Sequence, residues 1–269
     1  MNTIDHLSVS QAGMLEKCPA LWKAIYLDKT QERDPTNVYQ AASKSCEHQL
    51  LTPEKLSAYL AKPKIEALMY PDGRVYKVNG KNFKKGDPKK PHAEFLAVDN
   101  TVRVFKEKHQ DLLRWMVGDY EVEVHEAIHD LAVLGYIDVL HQERDQTWII
   151  DLKCLKNLDD EWNHLKHAYE PWWRRYVMQL VIYRELYNKA AGEWAKIGIV
   201  VCTKENPPNF DFIELNDQEM NGEELELFLK YEQLAIGIAA GEEPRRCNKC
   251  DYCRETVKIT GPRPVKVAT

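Results

Sequence analysis

No window of this 269-residue sequence approaches eighteen uninterrupted apolar residues, so a membrane-spanning helix is not expected. The opening residues, MNTIDHLSVSQAG, lack both a basic n-region and an apolar core; this excludes a secretory leader there and makes the cytoplasm the expected compartment. A surplus of positive charge is missing as well: 37 Lys and Arg stand against 42 Asp and Glu, a formal net charge of −5. That balance weighs against sequence-independent attachment to a polyanion through bulk electrostatics. Any nucleic-acid contact needs a local basic surface, or metal ions that bridge acidic side chains to phosphate. Internal repeats and low-complexity tracts are also absent, which excludes a repeat array.

Cysteine, by contrast, is present at Cys18, Cys46, Cys154, Cys202, Cys247, Cys250 and Cys253. Without an export signal these residues are expected as thiols or metal ligands rather than disulfides. Cys247-x2-Cys250-x2-Cys253 is dense enough to hold zinc or an iron–sulfur cluster but is one ligand short. Cys18, beside Pro19, is the candidate fourth, and an uncoordinated tail is the alternative. A redox role for the CxxCxxC run is disfavoured because no βαβ context surrounds it.

Local patterns set the order of elements. Ser8 and Gln11 have capping-box spacing ahead of Leu15, Trp22 and Ile25, with an interruption at Cys18-Pro19. A second helix is expected over Tyr39 to Leu51, and Thr52-Pro53-Glu54 stops it and starts another. Turn signals and lysines crowd residues 71–94, read as an exposed lysine-rich insertion in which Lys84, Lys85, Lys89 and Lys90 can meet phosphate. Helical periodicity returns over 95–117. Leu131 to Leu140 and Thr147 to Leu155 flank the polar turn HQERDQ as a β-hairpin. A helix from Pro171 to about Ala190, ended by Gly192, precedes strands at 195–203 and 210–215, and a last helix runs from about Gln218 to Ala240. The expected fold is α/β, a mixed sheet flanked by helices. The expected organisation is a single domain over 1–269: a helical opening region (1–70), the insertion (71–94), a core (95–240) and a cysteine-containing tail (241–269).

The chemistry concentrates in the hairpin. In Ile150-Asp151-Leu152-Lys153 the acid and the lysine are two apart on a strand, so both leave one face. Folding the hairpin about Arg144 and Asp145 sets Asp138 opposite Asp151. Two close carboxylates resist joint ionisation unless a cation lies between them, and their oxygens favour Mg2+ or Mn2+. Such a pair suits phosphodiester hydrolysis, with Lys153 positioning water or offsetting phosphate charge. A bare Asp-x12-Asp-x-Lys spacing is common. Here, though, the acid and the lysine stand in an otherwise apolar strand, where an unpartnered charge is costly. Gln179 and Tyr183, spaced i, i+4 on the following helix, can project together, with Arg175 on the same face.

The series GYIDVL, IIDLK and QLVIY resembles the nuclease core of the PD-(D/E)XK superfamily, RecB-like branch. CEHQLLTPEKLSAYL and LSVSQAGMLEKCPALWKAIY are similar to the corresponding segments of RecE-type phage and prophage exonucleases, with Lys44 where glycine is frequent and Cys46 where alanine is usual. The resemblance implies metal ligation by His48, Asp138, Asp151 and the Leu152 backbone carbonyl, with Lys153 catalytic and Gln179 and Tyr183 orienting the site; Glu47 is a competitor for the metal. It further implies a DNA exonuclease acting 5′-to-3′ on linear duplex ends in phage-type recombination, a ring-shaped homo-oligomer and a single-strand annealing protein as partner. Some RecB-like nucleases resemble the cysteine arrangement, closing a 4Fe-4S cluster. The alternatives are a RecB-like single-strand or end-trimming nuclease with such a cluster, and a non-catalytic DNA-binding module.

Overall fold

A computed structural model describes residues 4–69, 91–163, 167–216 and 222–256. The chain opens with α1 (Val9–Lys17), α2 (Pro19–Tyr26), α3 (Val38–Leu50), α4 (Pro53–Leu60) and α5 (Pro63–Met69). Ser8 caps α1 by accepting the Gln11 amide at 3.3 Å, extended Cys18 ends it, and Pro19 starts α2, where its missing amide costs nothing. Asn37 and Gln40 form a reciprocal capping box on α3. Helices α6 (Ala93–Lys108) and α7 (Gln110–Trp115) follow, divided at non-helical His109 where the periodicity predicts one helix.

The sheet comprises β1 (Asp119–Ala127), β2 (Ala132–Glu143), β3 (Gln146–Leu155), β6 (Lys196–Thr203) and β7 (Phe210–Leu215), in the order β1-β2-β3-β6-β7 among the described residues. Only β3 and β6 pair in parallel. A small hairpin, β4 (Glu161–Asn163) and β5 (Ala168–Glu170), interrupts the chain before α8 (Val177–Ala191). Helices α9 (Glu223–Ala239) and α10 (Asp251–Thr256) complete it. The fold is thus the expected mixed α/β sheet flanked by helices, with β1 added. That strand, DYEVEVHEA, lies at the sheet edge and buries only Val124 fully, so its apolar pattern is thin.

Both faces of the sheet are covered. Leu15 of α1, Leu180 of α8 and Phe228 of α9 pack with Ile149, Ile197 and Ile199, while Cys46 of α3 and Phe95 of α6 pack with Ile150, Leu152 and Val200. Coverage on both sides is why β3 and β6 read as nearly continuous apolar runs. Each such buried aliphatic side chain contributes about 1.5–3 kcal/mol. Helix α8 begins at Val177, after a 3-10 turn at Arg174–Tyr176, rather than at Pro171 as expected, and ends on Gly192 at φ 70°.

Helix α9 also clamps the turn between β1 and β2. The wholly buried Glu232 carboxylate accepts the amides of Asp130 and Leu131 at 3.1 and 2.8 Å. Glu232→Ala strands both donors and is expected to cost about 2–3 kcal/mol, read as a lowered Tm, whereas Glu232→Gln retains an acceptor oxygen and should cost less. Equal losses for the two variants would remove the clamp as the explanation.

Candidate active site

β2 and β3 pair from Glu143↔Gln146 to Val139↔Ile150, symmetric about Arg144 and Asp145. One further step sets Asp138 against Asp151. There the ladder gives way, and Asp138 Oδ2 accepts the Leu152 amide at 2.9 Å, standing where a backbone carbonyl would. The N–H and C=O of one strand residue leave by the same edge, so the Leu152 carbonyl points toward Asp138 as well.

Strand β2 changes face at this position. Ile137 packs in the core under α8 and Val139 in the core under α3, although residues two apart in a regular strand share a face. On β1 the register runs from Tyr120↔Val139 to Val122↔Ile137 and passes over Glu121, which has φ 52°. Left-handed backbone at a residue with a side chain costs about 1–3 kcal/mol and gathers at functional sites.

Asp151 and Lys153 leave the same face of β3. The lysine ammonium lies 2.6 Å from both Asp151 oxygens. Gln179 donates to Asp151 Oδ1 at 3.0 Å and to the Tyr183 hydroxyl at 3.3 Å, so α8 holds the acid by an amide that is itself held. Asp151 Oδ2 is buried and, despite the nearby ammonium, accepts no well-directed hydrogen bond. Burial first, and the Asp151 charge second, push half-buried Asp138 up to about 8, against the pull of Lys153. Burial acts to lower Lys153, but the charges of Asp151 and Asp138 raise it above the usual lysine range. Without a metal, then, neutral pH leaves a protonated Asp138 beside an Asp151–Lys153 ion pair. Two carboxylates, one of them with a buried oxygen short of a directed partner, and a carbonyl are a donor set that fits a hard divalent cation.

Helix α3 brings Glu47 to the cleft lined also by Lys153 and Leu152. Burial raises Glu47, and Lys44, bonded to it, opposes that rise. Lys44 also reaches Glu121 at 3.0 Å, and Lys55 pairs with the same carboxylate, which is lowered to about 2, chiefly by the Lys55 bond. Lys44, found where glycine is frequent in the resembling exonucleases, therefore joins two acids around the site. No spacing in the sequence singles out Glu121. His48 is placed otherwise: its Nδ1 lies 2.8 Å from Thr52 Oγ1 and its ring packs on Tyr59. Neither His48 nor Glu47 closes with Asp138 and Asp151 to a group of donor atoms within 4.8 Å of one another.

The cleft has a volume of about 510 Å³, and its walls carry Lys44, Lys153, Lys156 and Lys204 against the single acid Glu47. Lys44, Lys153 and Lys204 are paired with Glu47, Asp151 and Glu94 respectively. Arg175, expected on the α8 face, lies instead in the 3-10 turn before it; it pairs with Glu161 and stacks over Tyr176. Lys84, Lys85, Lys89 and Lys90 lie outside the described residues.

At the far ends of the chain, Cys18, Cys247, Cys250 and Cys253 converge, all four sulfurs lying within 4.8 Å of one another. Cys18 is 3.4 Å from Cys253 and 3.8 Å from Cys250, near the roughly 3.8 Å that four thiolates adopt around one tetrahedral ion. The amides of Lys249 and Cys250 point at Cys247 Sγ at 3.4 and 3.3 Å. Against the effect of burial, those amides lower Cys247 to about 6, so it presents a ready thiolate. An iron–sulfur cubane needs its cysteines farther apart, so this spacing suits a single ion such as zinc.

A family model described as a PDDEXK-like domain of unknown function (DUF3799) matches residues 8–256. No match was found among curated proteins. Among solved structures, one described as a "Putative exonuclease" from Eubacterium rectale superposes with a TM-score of 0.77 at 16% identity, over 97% of this chain and 91% of that one. A second, of SSO0001, covers 90% of each chain at 16% identity, and its TM-score of 0.31 carries no argument. Among the described residues no helix is long and apolar enough to cross a membrane.

Proposed function

Because the chain belongs to the PDDEXK-like family DUF3799, we propose that it is a magnesium-dependent exodeoxyribonuclease that hydrolyses phosphodiester bonds of linear duplex DNA. The observation that carries this reading is the joint presence of Asp138, Asp151 and Lys153, the last of which also lines the neighbouring cleft. A non-catalytic DNA-binding module has no use for two carboxylates and a lysine gathered in one site.

Asp138, Asp151 and the Leu152 carbonyl would hold Mg2+ or Mn2+, and Glu47 rather than His48 would complete the set from α3. When bound, such an ion lowers the pKa of water and offsets charge on phosphate. Lys153, freed from Asp151, reaches the attacked phosphate as a fixed cation, and Tyr176, whose ring lies 5.1 Å from its ammonium, limits where it can turn. Gln179 and Tyr183 keep the Asp151 carboxylate in one orientation. Lys156 and Lys204 attract the backbone of the entering strand. The 5′-to-3′ direction, the ring, the role in phage-type recombination and the annealing partner rest on the RecE-type resemblance. A second reading, a RecB-like single-strand or end-trimming nuclease with an iron–sulfur cluster, draws support from the convergence of Cys18 with the three tail cysteines, although their spacing suits a single ion better.

End-labelled linear duplex, closed circular duplex and single strands incubated with magnesium separate these readings, with Asp151→Asn as the control for contaminating nuclease. Loss of linear duplex alone is expected. Preferential loss of single strands selects the second reading, equal cutting of closed circles sinks the exonuclease, and no cleavage with either metal sinks the enzyme. Glu47→Gln should raise the magnesium needed for half-maximal rate about tenfold, and His48→Ala should change it little.

A further inference from the structure

A second sulfur group stands behind the catalytic strand. Cys46 of α3, Cys154 of β3 and Cys202 of β6 are all buried, and their sulfurs lie within 4.8 Å of one another, Cys46 and Cys202 being 3.5 Å apart. From these contacts we infer that Cys46, Cys154 and Cys202 form a trigonal thiolate site for a soft d10 cation of the Cu(I) or Cd2+ class.

Three thiols can fill a core simply as small apolar side chains. That role accounts for their burial but not for their convergence from three separate elements. All seven cysteines of the chain fall into this group or the tail group, and none is scattered. Three thiolates around one ion at a metal–sulfur distance of about 2.3 Å stand about 4.0 Å apart, above the 3.5 Å between Cys46 and Cys202 and inside the 4.8 Å that holds all three sulfurs. No oxygen or nitrogen ligand belongs to the group, a donor set that selects soft ions over magnesium. Cys154 packs on the α3 side of β3, whereas the Asp151 carboxylate leaves by the other face, so the sulfurs and that carboxylate lie on opposite sides of the strand, although Cys154 and Lys153 line the same cleft.

Access is provided for. Cys154 lines the lysine-rich cleft, so an ion can reach the sulfurs from solvent. A divalent cation replacing three S–H protons leaves a complex of net charge −1 and three protons in solvent. Occupancy ties α3, which carries Glu47, to β3, which carries Asp151.

The test is a titration of reduced, metal-stripped full-length protein with Cd2+ alone, counting thiolate-bound ions by the sulfur-to-cadmium charge-transfer absorption, to which a carboxylate-bound ion does not contribute. The wild type is expected to take up two equivalents in this band, a Cys247→Ser, Cys253→Ser double variant one and Cys202→Ser one. Should Cys202→Ser misfold, Cys46→Ser provides the same reading. A wild type that saturates at the single equivalent lost in the double variant overturns the inference, as does a folded Cys202→Ser or Cys46→Ser protein that still binds two.

Discussion

The Asp138→Asn protein is expected to lose magnesium-dependent hydrolysis by about three orders of magnitude or more, yet to melt at a higher temperature than the wild type in metal-free buffer at pH 8. Both effects come from one carboxyl. Folding lifts Asp138 from 3.8 to about 8, by burial first and by the Asp151 charge second. A carboxyl raised on folding contributes its full stability below its unfolded pKa, and that contribution is lost as the pH climbs toward the folded value. The metal-free wild type should therefore weaken between about pH 4 and pH 8 through this group. Asparagine has no proton to lose and can still accept the Leu152 amide, so the variant lacks that slope. Because Asp138 is not sealed from solvent, the gain at pH 8 should be about 1–3 kcal/mol, shrinking to nothing near pH 4. Metal entry must expel the same proton, so magnesium affinity in the wild type should tighten as pH rises toward 8, with proton release visible by calorimetry in buffers of different ionisation enthalpy. An Asn variant no more stable than the wild type at pH 8 without metal would show that Asp138 is not strained by its neighbours.

The Gly135→Ala protein is expected to lose both stability and activity through a residue that carries no chemistry. A Cβ at this position on β2 would lie 2.5 Å from Tyr183 Cε1 and 2.8 Å from Cδ1, with Val124 Cγ2 at 3.3 Å behind it. The Tyr183 ring is partly buried beside the strand and cannot yield without moving its hydroxyl, which Gln179 holds while also holding Asp151. Overpacking of this kind costs about 1–3 kcal/mol. Misplacing the amide that fixes Asp151 should lower the rate about 10- to 100-fold. Removing the ring in a Gly135→Ala, Tyr183→Ala double variant should abolish the mutual clash, leaving the two losses of stability less than additive, without restoring the rate. If the stability losses simply add, the contact between Gly135 and Tyr183 is not what matters.

Much of the site could be read along the chain because it depends on short-range regularities. A two-residue strand period places Asp151 and Lys153 on one face, and a tight hairpin fixes its own register, so Asp138 meets Asp151 from spacing alone. Gln179 and Tyr183 follow from the i, i+4 geometry of α8. Caps at Ser8 and Asn37 and the stop at Gly192 are local hydrogen-bonding and steric events. The charged edge strand β1 hid because few of its residues are fully buried, and with it went Glu121.

The sequence by itself determined the catalytic hairpin, the faces of its strands and the helix behind it, because backbone periodicity and turn geometry act over a few residues. Tertiary structure decided which side of α3 meets the cleft, so that Glu47 lines it while His48 Nδ1 turns to Thr52, since one residue turns the helix surface by about 100° and only packing against the sheet fixes that rotation. It also decided that Lys44 bridges Glu47 and Glu121, that Gly135 makes room for Tyr183, and that seven dispersed cysteines gather into two groups. These are contacts between residues far apart in the chain, set by how the helices settle on the two faces of the sheet.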